Sequence, residues 1–185
     1  MEKLLEVRWH GRGGMGAVTS AELCASAAID EGKYAQSFPS FGPERRGAPV
    51  VAFLRISDEF IRIRTNIDKP DIVVVVDPKL LNQVDVTMGL KENGKIIVNS
   101  SKSPAQLKSE FGFKWPVASV DASKIARETI KLPITNTAMM GALEKVTEVV
   151  QMDSLVERLK ERFGARAEAN IQAMKRAYSE TVVKE

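Results

Sequence analysis

The segment Gly11-Arg12-Gly13-Gly14-Met15-Gly16 has the residue types and spacing to bind an anion. Gly11, Gly13 and Gly16 fit the G-x-G-x-x-G spacing, with strand-like sequence before them and helix-like sequence after. Glycines let backbone N–H groups approach a phosphate closely, and the start of a helix adds the positive end of its dipole. The same glycines would also serve a purely structural end, the close packing of a helix on a strand. A nicotinamide dinucleotide demands in addition an acidic residue about 20 positions further on, at the end of a second strand. Asp30 and Glu31 fall at the helix end before Gly32, and Tyr34 to Ser37 carries no acid, so NAD fits poorly. No G-x-x-x-x-G-K-S/T loop is present either, which argues against ATP hydrolysis of the P-loop type. His10, the only histidine, adjoins the loop and is either a phosphate contact or a local hydrogen-bonding group at a strand end.

A second segment, Phe38-Pro39-Ser40-Phe41-Gly42-Pro43-Glu44-Arg45-Arg46-Gly47-Ala48-Pro49, is too rich in proline and glycine for regular structure. Arg45 and Arg46, held by such a turn, offer fork-shaped donors to phosphate or carboxylate, and Glu44 is placed to orient one of them. A solvated surface pair is the competing reading.

These segments need a scaffold, and the hydrophobic pattern supplies one. Leu4 to Trp9 reads as a first strand, and the glycine turn opens a helix that runs to about Asp30, before the Gly32-Lys33 stop. Ala17, Ala21, Cys24, Ala25 and Ala28 recur at helical spacing and present a narrow face able to lie close to a sheet. Tyr34 to Ser37 is another short strand. Val50 to Ile56 and Phe60 to Arg64 flank Ser57-Asp58-Glu59 and read as an antiparallel hairpin. Ile72 to Val76 is apolar throughout and Lys95 to Asn99 has the apolar centre Ile96-Ile97-Val98, as strands buried on both faces have. Val117 to Val120 ends at Asp121 and is followed by helices over Ala122 to about Ile130 and Asn136 to Val150; a charged helical stretch then runs from Met152 to about Thr181, interrupted at Gly164. The alternation predicts one α/β domain over residues 1–185, a three-layer α/β/α fold with a mixed, mostly parallel sheet, a Rossmann-like start and a helical C-terminal segment from about 152.

Composition removes several classes of function. The chain has 185 residues and one cysteine, Cys24, which cannot by itself hold an iron–sulfur cluster or a zinc ion. Cys24 lies among alanines, where a packing role is the simpler expectation than a reactive thiol. The net charge is only +3, with acids and bases intermingled and no basic tract or aromatic RNA motif, so nucleic acid is not an expected partner. The longest apolar run, Ile72 to Val76, is far too short to cross a bilayer, and the first residues carry no export signal. No membrane association and a cytoplasmic location follow as expectations.

Taken in order along the chain, Gly11-Arg12-Gly13-Gly14-Met15-Gly16, Ser37 to Pro49, Pro70-Asp71 to Asp77-Pro78 and Asn136-Thr137-Ala138-Met139-Met140-Gly141-Ala142 resemble the gamma subunit of pyruvate (2-oxoacid):ferredoxin oxidoreductase. The resemblance covers most of the chain, although the stretch after about Gln151 carries little of it. It implies an assembly with alpha, beta and delta subunits that decarboxylates a 2-oxoacid on thiamine diphosphate and magnesium, passes electrons through [4Fe-4S] clusters to ferredoxin, and transfers the acyl group to coenzyme A. This chain has neither the cysteines for iron nor a Gly-Asp-Gly motif with paired Asn for the thiamine cofactor, so both are expected in partner subunits. It is expected to be inactive alone, to hold no cofactor by itself and to carry no catalytic or metal-ligating residue. The remaining task for which the chain has suitable parts is binding a phosphorylated acyl acceptor, and the resemblance implies that this is coenzyme A. Gly11, Arg12, Gly13, Gly14, Met15, Gly16, Arg45 and Arg46 are the expected contacts to coenzyme A phosphates or to a neighbouring subunit. A subunit for branched-chain 2-oxoacids, a free-standing nucleotide-binding module and a purely structural clamp are the alternatives.

Overall fold

The structure, a computed structural model, describes residues 4–40 and 47–184. Arg45 and Arg46 lie outside the described residues. Strands β1 (Leu5–Arg12), β2 (Tyr34–Pro39), β3 (Pro49–Ser57), β4 (Ile72–Val75), β5 (Lys95–Asn99), β6 (Val117–Val120) and β7 (Val182–Lys184) form one sheet in the order β2-β3-β1-β4-β5-β6-β7. β1, β4, β5 and β6 pair in parallel, whereas β3 runs antiparallel to both β1 and β2, and β7 antiparallel to β6. Ile72–Val75 is buried at every position, because the central strands are covered on both faces.

One face is covered by the helices α1 (Ala17–Asp30), α3 (Ala122–Thr129), α4 (Asn136–Thr147), α5 (Met152–Phe163) and α6 (Ala167–Glu180), whose apolar side chains merge into one core with Val7, Trp9, Leu54, Val74 and Ile97. The other face carries α2 (Pro104–Phe111) and the turn Pro78–Asn82, over Val73, Val75, Ile96 and Val98. The result is the expected three-layer α/β/α arrangement with a mixed sheet. Small side chains explain the tight seat of α1: Ala17, Ala21, Cys24, Ala25, Ala27 and Ala28 are all buried. Cys24 sits in this layer, its thiol pushed far up by burial and by the nearby Glu144 carboxyl, so it is held protonated. No helix among the described residues is long and apolar enough to cross a membrane.

The antiparallel hairpin differs from the expected one. Phe60 to Arg64 forms no strand; β2 pairs with β3, from Tyr34 opposite Ser57 to Pro39 opposite Ala52. The reason is geometric: β1 occupies one edge of β3 and β2 the other, so the segment after Ser57 has no edge left to join. It folds across the sheet instead, where Arg55, only 1% exposed, donates to the carbonyls of Thr65 (2.8 Å) and Asn66 (3.3 Å) and pairs with Glu6.

Two elements escaped the hydrophobic reading. α2 follows a capping box in which Ser103 Oγ accepts from Gln106 N and the Gln106 side chain accepts from Ser103 N, with Pro104 opening the helix and Gly112 (φ 65) closing it. The Ser-Pro-x-Gln signature was there to be read. β7 carried no comparable signal, because three exposed residues after a helix become a strand only where a sheet edge is waiting.

The link from α4 to α5 is pinned by carboxylates. Glu144 Oε2 accepts from Val150 N (3.2 Å), and Glu31 Oε1 accepts from Gln151 N (2.6 Å). Glu144 is 6% exposed, and burial pushes its pKa up to about 7 against the hydrogen bond from Val150; Glu31 and Glu148 add repulsion, and Lys33 offsets some of it. A carboxyl whose pKa is raised in the folded state binds a proton there that the unfolded chain has released. Stability therefore falls as pH rises from about 4.5 to about 7. Glu144→Gln keeps the acceptor and removes the charge, so it should raise the thermal midpoint at pH 8, by up to about 3 kcal/mol of stability. Below pH 5 it should change little. A midpoint at pH 8 equal to or lower than that of the unchanged protein would refute this.

Candidate anion-binding site

The glycine loop leaves the C-terminal end of β1 where the strand order reverses. From β1 the chain passes by way of α1 to β2 and β3 on one side, whereas β4, β5 and β6 build outward on the other. Ligands in open α/β sheets bind in the crevice at such a point, beyond the carboxyl ends of the strands. The ends of β1, β4, β5 and β6 all open on this edge, with the starts of α1, α3 and α4.

Each residue of the loop has a distinct place. A Cβ on Gly11 would stand 3.2 Å from the Ala17 Cβ and 3.7 Å from that of Val76, so this glycine lets the start of α1 pack on the strand. Arg12 is fully engaged: its Nε donates to Asp77, Nη1 to the Gly47 carbonyl (3.1 Å) and Nη2 to Gln83 Oε1 (2.7 Å). Gly13 N donates to the Ala48 carbonyl (2.9 Å), and its own carbonyl accepts from Gly47 N (3.3 Å). Met15 N closes the turn onto the Arg12 carbonyl (3.0 Å). Gly14 (φ 87) has nothing within 4 Å of where a Cβ would be, whereas Gly16 (φ 79) is pressed against Asn136, whose amide nitrogen would lie 2.7 Å from a Cβ.

These contacts join two segments read separately from the sequence. Gly13, Arg12, Gly47 and Ala48 stitch the glycine loop to the second flank of the arginine turn, and Ser40 N fixes its first flank by donating to the Val51 carbonyl (2.7 Å). β2 ends and β3 begins on the same edge as β1 ends, with Arg12 opposite Pro49 and Pro39 opposite Ala52. The described flanks of the segment, Ser40 and Gly47, thus lie on the same edge as the glycine loop.

The electrostatics are those of an anion site. α1 and α4 both begin here, and neither has an acid in its first turn nor a side-chain cap. Their positive ends are uncompensated. Asp77 faces the site but is tied to Arg12 and caps the turn Pro78–Asn82 by accepting from Lys79 N (3.0 Å). Asn99, at the end of β5, is likewise committed to the Val76 carbonyl (2.9 Å) and to Ser123 (3.0 Å).

His10 points elsewhere. Its Nε2 accepts from Arg8 Nε (3.1 Å), and burial together with the Arg8 charge depresses its pKa to about 4. It is a neutral, local hydrogen-bonding group. Arg8 in turn holds the carbonyls of Val86 (3.0 Å) and Met88 (2.6 Å), which fixes the segment that presents Gln83 to Arg12.

A cavity of about 640 Å³ opens at the opposite edge of the sheet, among Lys33, Asp71, Lys91, Lys95 and Glu148. Its charges are largely self-neutralised, Lys91 with Glu6 and Asp71, and Lys33 with Glu31. The C-terminal end of α4 reaches it, so the helix dipole there disfavours an anion. The chemistry favours the glycine-loop edge.

The residues that the sequence reading missed are Asp77, Gln83, Thr135 and Asn136. Asp77-Pro78 and Asn136-Thr137 stood in recognisable segments, but their convergence on the loop is a tertiary fact.

A family model described as pyruvate ferredoxin/flavodoxin oxidoreductase matches residues 6–180. The chain is 54% identical over 184 residues to the pyruvate/ketoisovalerate oxidoreductases common subunit gamma of Thermococcus kodakarensis, covering 98% of this chain and 100% of that one. It is 48% identical over 179 residues to pyruvate synthase subunit PorC of Methanothermobacter thermautotrophicus, covering 96% of each. Among solved structures, the pyruvate oxidoreductase subunit PORC (EC 1.2.7.1) of Thermotoga maritima superposes with a TM-score of 0.87 at 39% identity, over 99% of both chains.

Proposed function

Because the chain belongs to the pyruvate ferredoxin/flavodoxin oxidoreductase family, as a gamma-type subunit of a multi-subunit enzyme, we propose that its share of the reaction is to hold coenzyme A by its phosphates. One observation carries this reading: the glycine loop and both flanks of the arginine turn are hydrogen-bonded side by side at the C-terminal edge of the sheet, where two helices begin without acids. A polyanionic acyl acceptor suits that edge. On this reading the whole chain, residues 1–185, works as one domain in the cytoplasm beside alpha, beta and delta subunits. Those partners supply thiamine diphosphate, magnesium, the [4Fe-4S] clusters and the contact with ferredoxin. The loop's backbone N–H groups other than those of Gly13 and Met15, which are bonded within the protein, orient the acceptor together with Arg45 and Arg46, while decarboxylation proceeds elsewhere.

The choice of 2-oxoacid belongs to the partners as well. The Thermococcus relative is named as common to pyruvate and ketoisovalerate oxidoreductases, which supports a subunit that serves either acid. Such sharing suits a chain that binds the acceptor and not the carbonyl substrate.

Gly13→Val in the assembled enzyme tests the proposal. A branched side chain on a loop whose two backbone groups are already bonded to Gly47 and Ala48 obstructs close approach of a phosphate. The apparent KM for coenzyme A should rise at least about tenfold, the loss of one charge-assisted hydrogen bond, with the KM for the 2-oxoacid unchanged. Equal coenzyme A kinetics in a normally assembled variant would leave the glycines as packing residues and overturn it.

A further inference from the structure

We infer that the start of α4 is the second half of this binding site, with Thr135 and Asn136 as ligand-binding residues for a phosphorylated molecule that also offers an amide or hydroxyl donor. The inference rests on the coenzyme A reading above and extends it to residues outside the glycine loop.

Among the described residues three buried side-chain polar atoms have no hydrogen-bond partner: Trp9 Nε1, Thr135 Oγ1 and Asn136 Oδ1. Two of the three are consecutive and sit at one helix start. Thr135 is 2% and Asn136 3% exposed, so ordinary solvation does not account for them. Thr135 occupies the N-cap position, where a threonine hydroxyl normally accepts from the first turn, yet it makes no such bond. Two neighbouring polar groups are committed elsewhere: Thr137 Oγ1 donates to Asn170 (3.2 Å), and Ser20 Oγ donates to the Asn136 carbonyl (3.3 Å). What remains unmatched is a pair of atoms on consecutive residues at the α4 start, the second of them on the side chain that packs against Gly16.

Their position gives the ligand class. The Asn136 amide lies against Gly16, so the starts of α1 and α4 meet there, each without an acid in its first turn. A phosphate oxygen between two helix starts satisfies both dipoles and can accept from the Thr135 hydroxyl. Asn136 Oδ1 is an acceptor and needs a donor, which a bare anion lacks and an amide N–H or hydroxyl of an organic phosphate supplies. Leu132 and Ile134, 50% and 37% exposed on the segment leading into Thr135, offer apolar surface to the rest of such a molecule. Coenzyme A combines all three features.

The test is calorimetric titration of the assembled enzyme with coenzyme A and with inorganic diphosphate, in the absence of 2-oxoacid. Asn136→Asp puts a carboxylate between the two helix starts. Structurally this meets two opposed effects, since a first-turn acid complements the dipoles while burial disfavours its charge. The thermal midpoint of the isolated chain is measured beside it to show that the variant folds, and the Kd for coenzyme A should weaken at least about tenfold. Thr135→Val, which keeps shape and removes the hydroxyl, should weaken it by roughly three- to tenfold. Inorganic diphosphate should bind more weakly than coenzyme A; equal affinity would overturn the donor role assigned to Asn136 Oδ1. Unchanged coenzyme A affinity in both variants, with Gly13→Val still impaired, would overturn this inference and leave the coenzyme A reading standing. If Gly13→Val is unimpaired as well, both fall. Variants that fold alone but no longer assemble would assign the α4 start to a partner subunit and refute a ligand role.

Discussion

Gly141→Ala should destabilise the fold by at least about 3 kcal/mol and lower its thermal midpoint by about 6–12 °C. Gly141 lies in the middle of α4, where it crosses α6, and a Cβ there would fall 2.0 Å from the Met174 carbonyl oxygen, 2.9 Å from its carbon and 3.1 Å from Tyr178 N. All three are backbone atoms, so no side-chain rotation relieves the clash and the two helices must move apart. Their contact is made by Ala138, Met139, Ala142, Ala173, Met174 and Ala177, each buried, so separation opens the core along the whole crossing. Gly112→Ala is the control. Gly112 closes α2 at φ 65 with nothing within 4 Å, so alanine there meets only the left-handed backbone penalty of about 1–2 kcal/mol. A Gly141→Ala midpoint no lower than that of Gly112→Ala would show that α4 and α6 separate easily.

Removing either arginine of the turn should have the larger effect on function. A charge-assisted hydrogen bond contributes about 1.5–3 kcal/mol, and each 1.4 kcal/mol is a tenfold change in affinity. Arg45→Ala and Arg46→Ala are each expected to raise the apparent KM for coenzyme A by roughly ten- to a hundredfold. The KM for the 2-oxoacid should stay where it is. The two arginines lie outside the described residues, and the expectation rests on the described flanks, Ser40 bonded to Val51 and Gly47 to Gly13, together with the chemistry of paired guanidinium groups. Measuring the two constants separately decides the matter. Loosened subunit association with unchanged coenzyme A kinetics would make the turn an interface device. No change in either would make it a solvated pair.

The two results bear on different links of one chain of cause. Gly141 lets α4 lie close to α6, and Thr137 ties the same helix to Asn170. α4 is thereby held with its first residue against Gly16. The position of Asn136 at the loop, and of Thr135 beside it, thus depends on a close contact about one and a half turns further along the helix.

Much of this was legible in the sequence because local chemistry decided it. The β1–glycine loop–α1 start follows from glycine spacing, alanine periodicity and the strand before it. The buried strands Ile72–Val75 and Lys95–Asn99 follow from the apolar runs Ile72 to Val75 and Ile96 to Val98. The family followed from ordered segments that span most of the chain. Local pattern also misled at Phe60 to Arg64, whose alternation suits a strand, because pairing needs an edge and both edges of β3 were taken.

Only the tertiary structure could decide what converges. Arg12 read as a candidate phosphate contact, yet its three donor positions meet Asp77, Gly47 and Gln83, residues 35 to 71 positions away in the chain. Spacing along a chain constrains the neighbours of a residue on its own strand or helix; it says nothing about which loops a sheet order brings to one edge. The order β2-β3-β1-β4 places the glycine loop, the flanks of the arginine turn, Asp77 and the start of α4 together. The residue types suited to a polyanion were therefore readable one segment at a time, while the convergence of those segments on one edge came from strand pairing and helix packing over long sequence separations.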